Sequence, residues 1–175
     1  TVNYANNIPQ VAITLMLLEE NHPTQVYVLD IYNNILYEGY KDNGAYKNGK
    51  KLEIVKNTTM QKAIVATGFP YDRVNNSEQY VTTFEAVLRS WGGVRRFGSA
   101  ALDVCWIADN KFDAYFEFFM KPWDTLGASL ILNETIETEV LQGPGKSYGI
   151  EFLIAKKSGR LNGWIGYSYS RSFIK

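Results

Sequence analysis

The sequence predicts an α/β protein, a layered sandwich of helices on mixed sheets followed by a C-terminal β-hairpin, and three observations carry that expectation. Alternating apolar residues broken by tight turns run from Val11 to Tyr40; short apolar runs then alternate with helical patterns from Ala63 to about Leu132; two long alternating segments close the chain. With 175 residues, 46% of them hydrophobic, one domain can bury a substantial core without disulfides or a structural metal.

Each element has its own warrant. Val11, Ile13, Leu15 and Leu17 alternate with Ala12, Thr14, Met16 and Leu18, the pattern of a strand buried on one face and partly on the other. A second strand is expected over Gln25–Ile31. Asn33-Asn34, which tolerates the positive dihedrals of a tight turn, leads into a third over Ile35–Tyr40. Glycines and lysines from Asn43 to Lys51 make a further turn. Ala63–Thr67, ended by Gly68-Phe69-Pro70, reads as a core strand leaving for the surface.

A helix begins near Asn76 or Ser77. Its apolar residues Tyr80, Val81, Phe84, Val87, Leu88 and Trp91 recur at helical spacing, and Gly92-Gly93 stops it. Val94–Phe97 is a short strand, Gly98-Ser99 opens a second helix over Ala100–Ala108, and the aromatic run Lys111–Met120 suits a strand covered on both sides. Pro122-Trp123-Asp124 opens a third helix, since Pro fits a helix start and Asp124 stands near the positive end of the dipole. After Leu132 the character changes: Tyr148–Lys156 and Leu161–Phe173 alternate around the turn Lys157-Ser158-Gly159-Arg160.

Composition removes several function classes. Eighteen Lys+Arg balance eighteen Asp+Glu, so no whole-molecule field draws nucleic acid or an anionic membrane, and an anionic ligand must be held by local geometry. Cys105 has no partner for an internal disulfide and reads as a buried apolar residue; His22 alone builds no multi-histidine zinc site. No apolar stretch of about 18 residues exists to span a membrane as a helix, and the first residues lack a signal-peptide pattern. Thr1-Val2-Asn3, without a leading Met, reads like the interior of a longer frame.

Three clusters carry chemistry. Gly93 to Asp103 places a strand, the turn Gly98-Ser99 and a helix start in sequence, so backbone N–H groups beside Ala100 can receive an anion or a sugar hydroxyl. Glu117 stands between Phe116 and Phe118, where a carboxylate is costly unless paired, hydrated or facing a cleft. Asp124 heads a helix, either as an ordinary cap or as a carboxylate for a hard cation such as magnesium.

In order and spacing these clusters resemble the inositol monophosphatase family over about residues 1–130. Lys121-Pro122-Trp123-Asp124 is similar to the family's Trp-Asp signature, Gly98-Ser99-Ala100-Ala101 to its substrate-contacting turn, and Ala66-Thr67-Gly68-Phe69-Pro70 to the loop of bacterial members. Asn43 to Gly49 resembles the family's glycine-bounded hairpin, and Thr1-Val2-Asn3-Tyr4 the tail of Asp-Pro-x-Asp-Gly-Thr-x-Asn. The resemblance implies a sugar-phosphatase-like fold in incomplete form. It implies a cytoplasmic, Mg2+-dependent hydrolase of a small-molecule phosphate monoester, inositol monophosphate or a related sugar phosphate, with a homodimer possible; the balanced charge leads one to expect no nucleic-acid partner.

By the same resemblance Thr1 and Asp124 are catalytic, Thr1 orienting the attacking water and Asp124 holding metal, while Gly98, Ser99, Ala100 and Glu117 bind the sugar. The remaining metal carboxylates of the signature would stand before Thr1, so the chain as given is expected to be inactive. A 3′(2′),5′-bisphosphate nucleotidase of the same fold is the alternative substrate reading. Residues from about 127 to 175 resemble strands of TonB-dependent outer-membrane receptors, marked by Tyr148-Gly149-Ile150-Glu151 and Gly163 to Ser168. That implies a chimera joined near residues 124–133, a partial phosphatase domain over 1–130 with a hairpin tail over 131–175, and a membrane partner only if the tail is native.

Overall fold

The computed structural model describes residues 2–20, 22–54, 58–69, 73–118, 120, 122–135, 148–156 and 163–171. A one-turn helix α1 (Val2–Ala5) leads into an antiparallel meander of β1 (Ala12–Glu19), β2 (His22–Asp30), β3 (Ile35–Tyr40), β4 (Gly44–Lys47) and β5 (Lys50–Lys51), in that spatial order. Asn34 and Asn48, at φ 50° and 48°, make the left-handed turns between its strands. The segment from Asn43 to Lys51, read as a turn from its glycines and lysines and as a hairpin by resemblance, is a hairpin, β4 and β5 about Asn48-Gly49.

A second, parallel sheet follows, built of β6 (Ile64–Thr67), β7 (Gly93–Arg95) and β8 (Ala114–Phe116) in the order β7-β6-β8. The helices α2 (Arg73–Ser90) and α3 (Ala100–Ala108) are the crossovers, and α4 (Pro122–Asn133) follows β8. Successive side chains on these strands point to opposite faces and so divide the interior. Ala66 and Tyr115 join α3, α4 and the inner face of the meander in a core containing Val26, Val28, Tyr37, Leu102, Ile107 and Ile131. Val65, Ala114 and Phe116 turn the other way onto α2, meeting Tyr80, Val87 and Phe84. The layers run meander, α3 with α4, parallel sheet, α2, as the sequence leads one to expect of an α/β sandwich.

One ion-pair knot ties the first layer to the second. The hydroxyl of Tyr37, fully buried on β3, donates to Asp109 Oδ2 at 3.0 Å; Lys47 Nζ on β4 reaches the same carboxylate at 2.8 Å, and Lys111 Nζ lies 3.3 Å away. Asp109 is the C-cap of α3. Burial pushes its carboxyl up, but hydrogen bonds from Lys47 and Tyr37 and the charges of Lys111 and Lys47 outweigh that and leave it below the usual range.

Several expectations are corrected. The more apolar face of β1 is the open one: Ile13, Leu15 and Leu17 are 58%, 66% and 47% exposed, because α4 packs on the opposite face, which carries Ala12 and Met16. On α2, which starts at Arg73 rather than at Asn76 or Ser77, Val81 and Leu88 point to solvent while Tyr80, Phe84 and Val87, with Trp91 just past its end, face the sheet. The aromatic run Lys111–Met120 yields only three strand residues, since β6 pairs with it over Val65–Thr67 alone. Helix α4 runs through residue 130, and its Ile131 and Leu132 belong to the core.

The C-terminal hairpin forms as β9 (Tyr148–Lys156) and β10 (Gly163–Arg171), a separate two-stranded sheet whose first strand runs beside β8. Its turn, Lys157 to Arg160, lies outside the described residues. Among the described residues no helix is long and apolar enough to cross a membrane.

Candidate active site

Parallel pairing puts the C-terminal ends of β6, β7 and β8 on one edge of the sheet, where Gly68, Arg96 and Glu117 follow. Glu117, half-buried, lays its carboxylate directly over the backbone of Gly68, so close that a methyl group on Gly68 would overlap it. The Tyr115 hydroxyl, two residues back on the same strand, donates to Glu117 Oε2. Burial raises the Glu117 carboxyl above its ordinary value; the Tyr115 hydrogen bond opposes this, the charge of Asp124 adds to it, and Arg96 counters in part. Arg96 itself stacks over the Phe69 ring, 4.5 Å from its centroid, and so stays beside the loop that follows β6.

Asp124 stands in the first turn of α4, half-exposed, where the helix dipole favours a negative charge. Its field reaches both Glu117 and Tyr115, so the two expected carboxylates share one neighbourhood. The turn Gly98-Ser99-Ala100 enters α3 with Gly98 at φ +78°, a left-handed conformation that favours glycine. Ser99 is the N-cap of α3, and its side chain makes no capping bond to the helix.

Three further residues shape the site without having been singled out from the sequence. Asp103, in the first turn of α3, is 1% exposed, and its Oδ1 accepts no hydrogen bond among the described residues. Burial, with the Glu117 charge adding and Arg96 opposing, pushes its carboxyl up to about 8. Asn3 of α1 donates through Nδ2 to Phe97 O at 2.7 Å and to Gln10 O at 2.9 Å, and its amide lies against Gly98. Gly68 is the third. Asn3 and Gly68 stand inside the family motifs, so their place in those motifs was the available signal; a buried Asp103 had none beyond its position on an otherwise apolar helix face.

Thr1 lies outside the described residues. Among the described residues no three His, Cys, Asp or Glu side chains converge on a common point, and Asp124 with Glu117 does not amount to the carboxylate cage that a magnesium ion needs.

Residues 1–136 match the inositol monophosphatase family. A protein of Aquifex aeolicus named fructose-1,6-bisphosphatase/inositol-1-monophosphatase is 36% identical over 89% of this chain and 58% of its own length. A putative Nus factor SuhB of Neisseria meningitidis is 31% identical over 77% of this chain and 51% of its own. The inositol monophosphatase of Anabaena superposes with a TM-score of 0.73 at 30% identity, covering 77% of this chain and 54% of that structure. Mycobacterium tuberculosis SuhB gives 0.71 at 28% identity, over 77% and 56%.

The chain thus spans about half the length of the relatives it matches. A match over 89% of the chain necessarily reaches beyond Asn133, and the outer-membrane receptor expected for the tail finds no support. With matched residues covering the meander, the parallel sheet, the strand-end carboxylate, the glycine turn and the Trp-Asp helix, the chain belongs to the inositol monophosphatase family.

Proposed function

We propose that the chain forms the alcohol-binding part of a phosphate monoester hydrolase whose substrate is inositol monophosphate or a related sugar phosphate. The observation that carries this reading is the Glu117 carboxylate, half-buried over Gly68 with a hydrogen bond from Tyr115. A carboxylate offers about four lone-pair sites, and hydroxyl groups of a polyol complete them without adding charge. Asp124 would take a neighbouring hydroxyl from the head of α4, and the Ser99 hydroxyl with the N–H groups at the start of α3 would hold the rest of the alcohol. Hydrolysis adds water across the phosphorus–oxygen ester bond and releases alcohol and phosphate; Thr1 is the residue that the family resemblance assigns to orienting the water.

The family resemblance also calls for magnesium, whose ligand set is not complete among the described residues, so the chain on its own should release negligible phosphate. A cytoplasmic location accompanies this reading. The name of the Aquifex relative, which covers a hexose bisphosphate and an inositol phosphate, supports the substrate class.

Calorimetric titration with inositol monophosphate in the presence of Mg2+ tests it. Binding should weaken about tenfold or more in Glu117→Gln, the loss of one charged acceptor. The reading fails if no phosphate monoester binds, or if Glu117→Gln binds as well as the unchanged protein. Tighter binding of adenosine 3′,5′-bisphosphate than of inositol monophosphate would move the assignment to a nucleotidase. Turnover abolished by chelator and by Asp124→Asn would show that the chain completes a metal site after all.

A further inference from the structure

The short helix α1 and the substrate-side turn are far apart in sequence, yet one side chain joins them. Asn3 is buried, and its single amide nitrogen serves two carbonyls, Gln10 O at 2.9 Å and Phe97 O at 2.7 Å, so both of its protons are spent. The flat amide also lies on Gly98: a Cβ built there would be 3.2 Å from both Nδ2 and Oδ1 of Asn3. Its backbone carbonyl receives the Ile8 N–H at 2.9 Å, which fixes the bend that carries α1 towards β1. On the far side of the turn, Phe97 is held by Trp106 and Phe112, with ring centroids 5.2 and 5.7 Å away. The peptide from Phe97 to Gly98 is therefore clamped between an amide and an aromatic pair.

We propose that Asn3 is a positioning residue that latches the Gly98–Ala100 turn to α1, so that the groups receiving the alcohol keep a fixed place relative to that helix. This rests on the reading of that turn as the substrate-contacting one. The chemistry is specific to a carboxamide. An isosteric aspartate would aim a carboxylate at two carbonyl oxygens, exchanging two attractions for two repulsions, while alanine would leave both carbonyls without their donor. A merely space-filling role would tolerate the aspartate, which has the same shape. The geometry also explains why the turn carries glycine: the left-handed φ is one requirement, and the flat approach of the Asn3 amide is the second.

Nuclear magnetic relaxation of backbone 15N in the whole chain, compared among the unchanged protein, Asn3→Asp and Asn3→Ala, reads the latch directly. Order parameters at Gly98, Ser99 and Ala100 should fall from the rigid range of about 0.85 to below about 0.6 in both variants, while those of Val26, Val28 and Ile107 stay put. Dissociation constants for inositol monophosphate should rise at least about fivefold in parallel. Should either variant fail to fold, Gly98→Ala strains the same contact from its other side and should loosen the same three residues.

Unchanged order parameters at the turn in Asn3→Asp, or a loss spread evenly over the core, would overturn the proposal. The two readings separate cleanly. If the unchanged protein binds no inositol monophosphate while Asn3→Asp frees the turn, the latch stands and the functional reading falls; if binding is present and both variants leave turn and affinity untouched, the reverse holds.

Discussion

Replacing Asp103 by asparagine should make the protein more stable, and increasingly so as the pH rises. In the folded chain the carboxyl is 1% exposed, with Oδ1 unpartnered among the described residues, and is pushed from an ordinary 3.8 up to about 8. Between those values the folded state holds a proton that the unfolded state has released. Stability then falls with pH, by about 1.4 kcal/mol per unit for one proton. From pH 5 to pH 8 the unchanged protein should lose about 4 kcal/mol through this group. A carboxamide has the same outline and nothing to titrate, so Asp103→Asn should not show that slope, and the added N–H donors have the Glu117 carboxylate in their neighbourhood. Urea unfolding at pH 5, 6, 7 and 8 reads the difference. With a slope of about 2 kcal/mol per molar urea, the gap between the two midpoints should widen by about 2 M over the series. Parallel pH dependences for the two proteins would refute the reasoning, because every other titrating group is common to both.

Asp109→Ala should cost about 3–4 kcal/mol in urea unfolding, since it strands the buried Tyr37 hydroxyl and removes the counterion of Lys47 and Lys111; Asp109→Asn, which keeps an acceptor for Tyr37, should cost about half as much. Because the Asp109 carboxyl is lowered on folding, its contribution is complete above the ordinary carboxylate range and is lost as the pH falls through the folded value, so acid unfolding below about pH 4 should be shallower in Asp109→Asn. Gly68→Ala should displace the Glu117 carboxylate, break its bond from Tyr115 and weaken inositol monophosphate binding as much as Glu117→Gln does; a crystal structure of Gly68→Ala with Glu117 still on Tyr115 and affinity unchanged would count against the site.

What the sequence made legible was whatever depends on local pattern. Helix α3 runs over Ala100–Ala108 as expected, because a glycine-serine start and a continuous apolar run leave few alternatives. The Trp-Asp helix likewise begins at Pro122. Which face of β1 is buried was not legible: both faces are apolar, and the choice is made by α4, more than a hundred residues away. Val81 and Leu88 misled for a related reason, since α2 covers a narrow sheet and only one stripe of its apolar residues finds a partner. Glu117 and Asp124 stood out in the sequence as carboxylates in costly or helix-heading positions, and the charge of Asp124 is one cause of the rise at Glu117. Asp103 was invisible, because its burial exists only once α3 is packed between two sheets.

The contacts that assemble the site close long loops, and this orders events in time. Ile64 meets Asp113 across 49 residues, Tyr37 meets Asp109 across 72, and Asn3 meets Phe97 across 94. Closing each loop alone costs about 3.5–4 kcal/mol of chain entropy, recovered only when the partner elements are already formed. The meander from β1 to β5 needs no such wait, because its neighbours in space are neighbours in sequence. During folding the meander should therefore form before α3 and α4 pack on it, and the clasp at Asn3 should shut last. Pulse-labelled hydrogen exchange would read this as early protection in β2 and β3 and late protection at the head of α3, with the interval between them the period in which the chain is most exposed to association with its own kind.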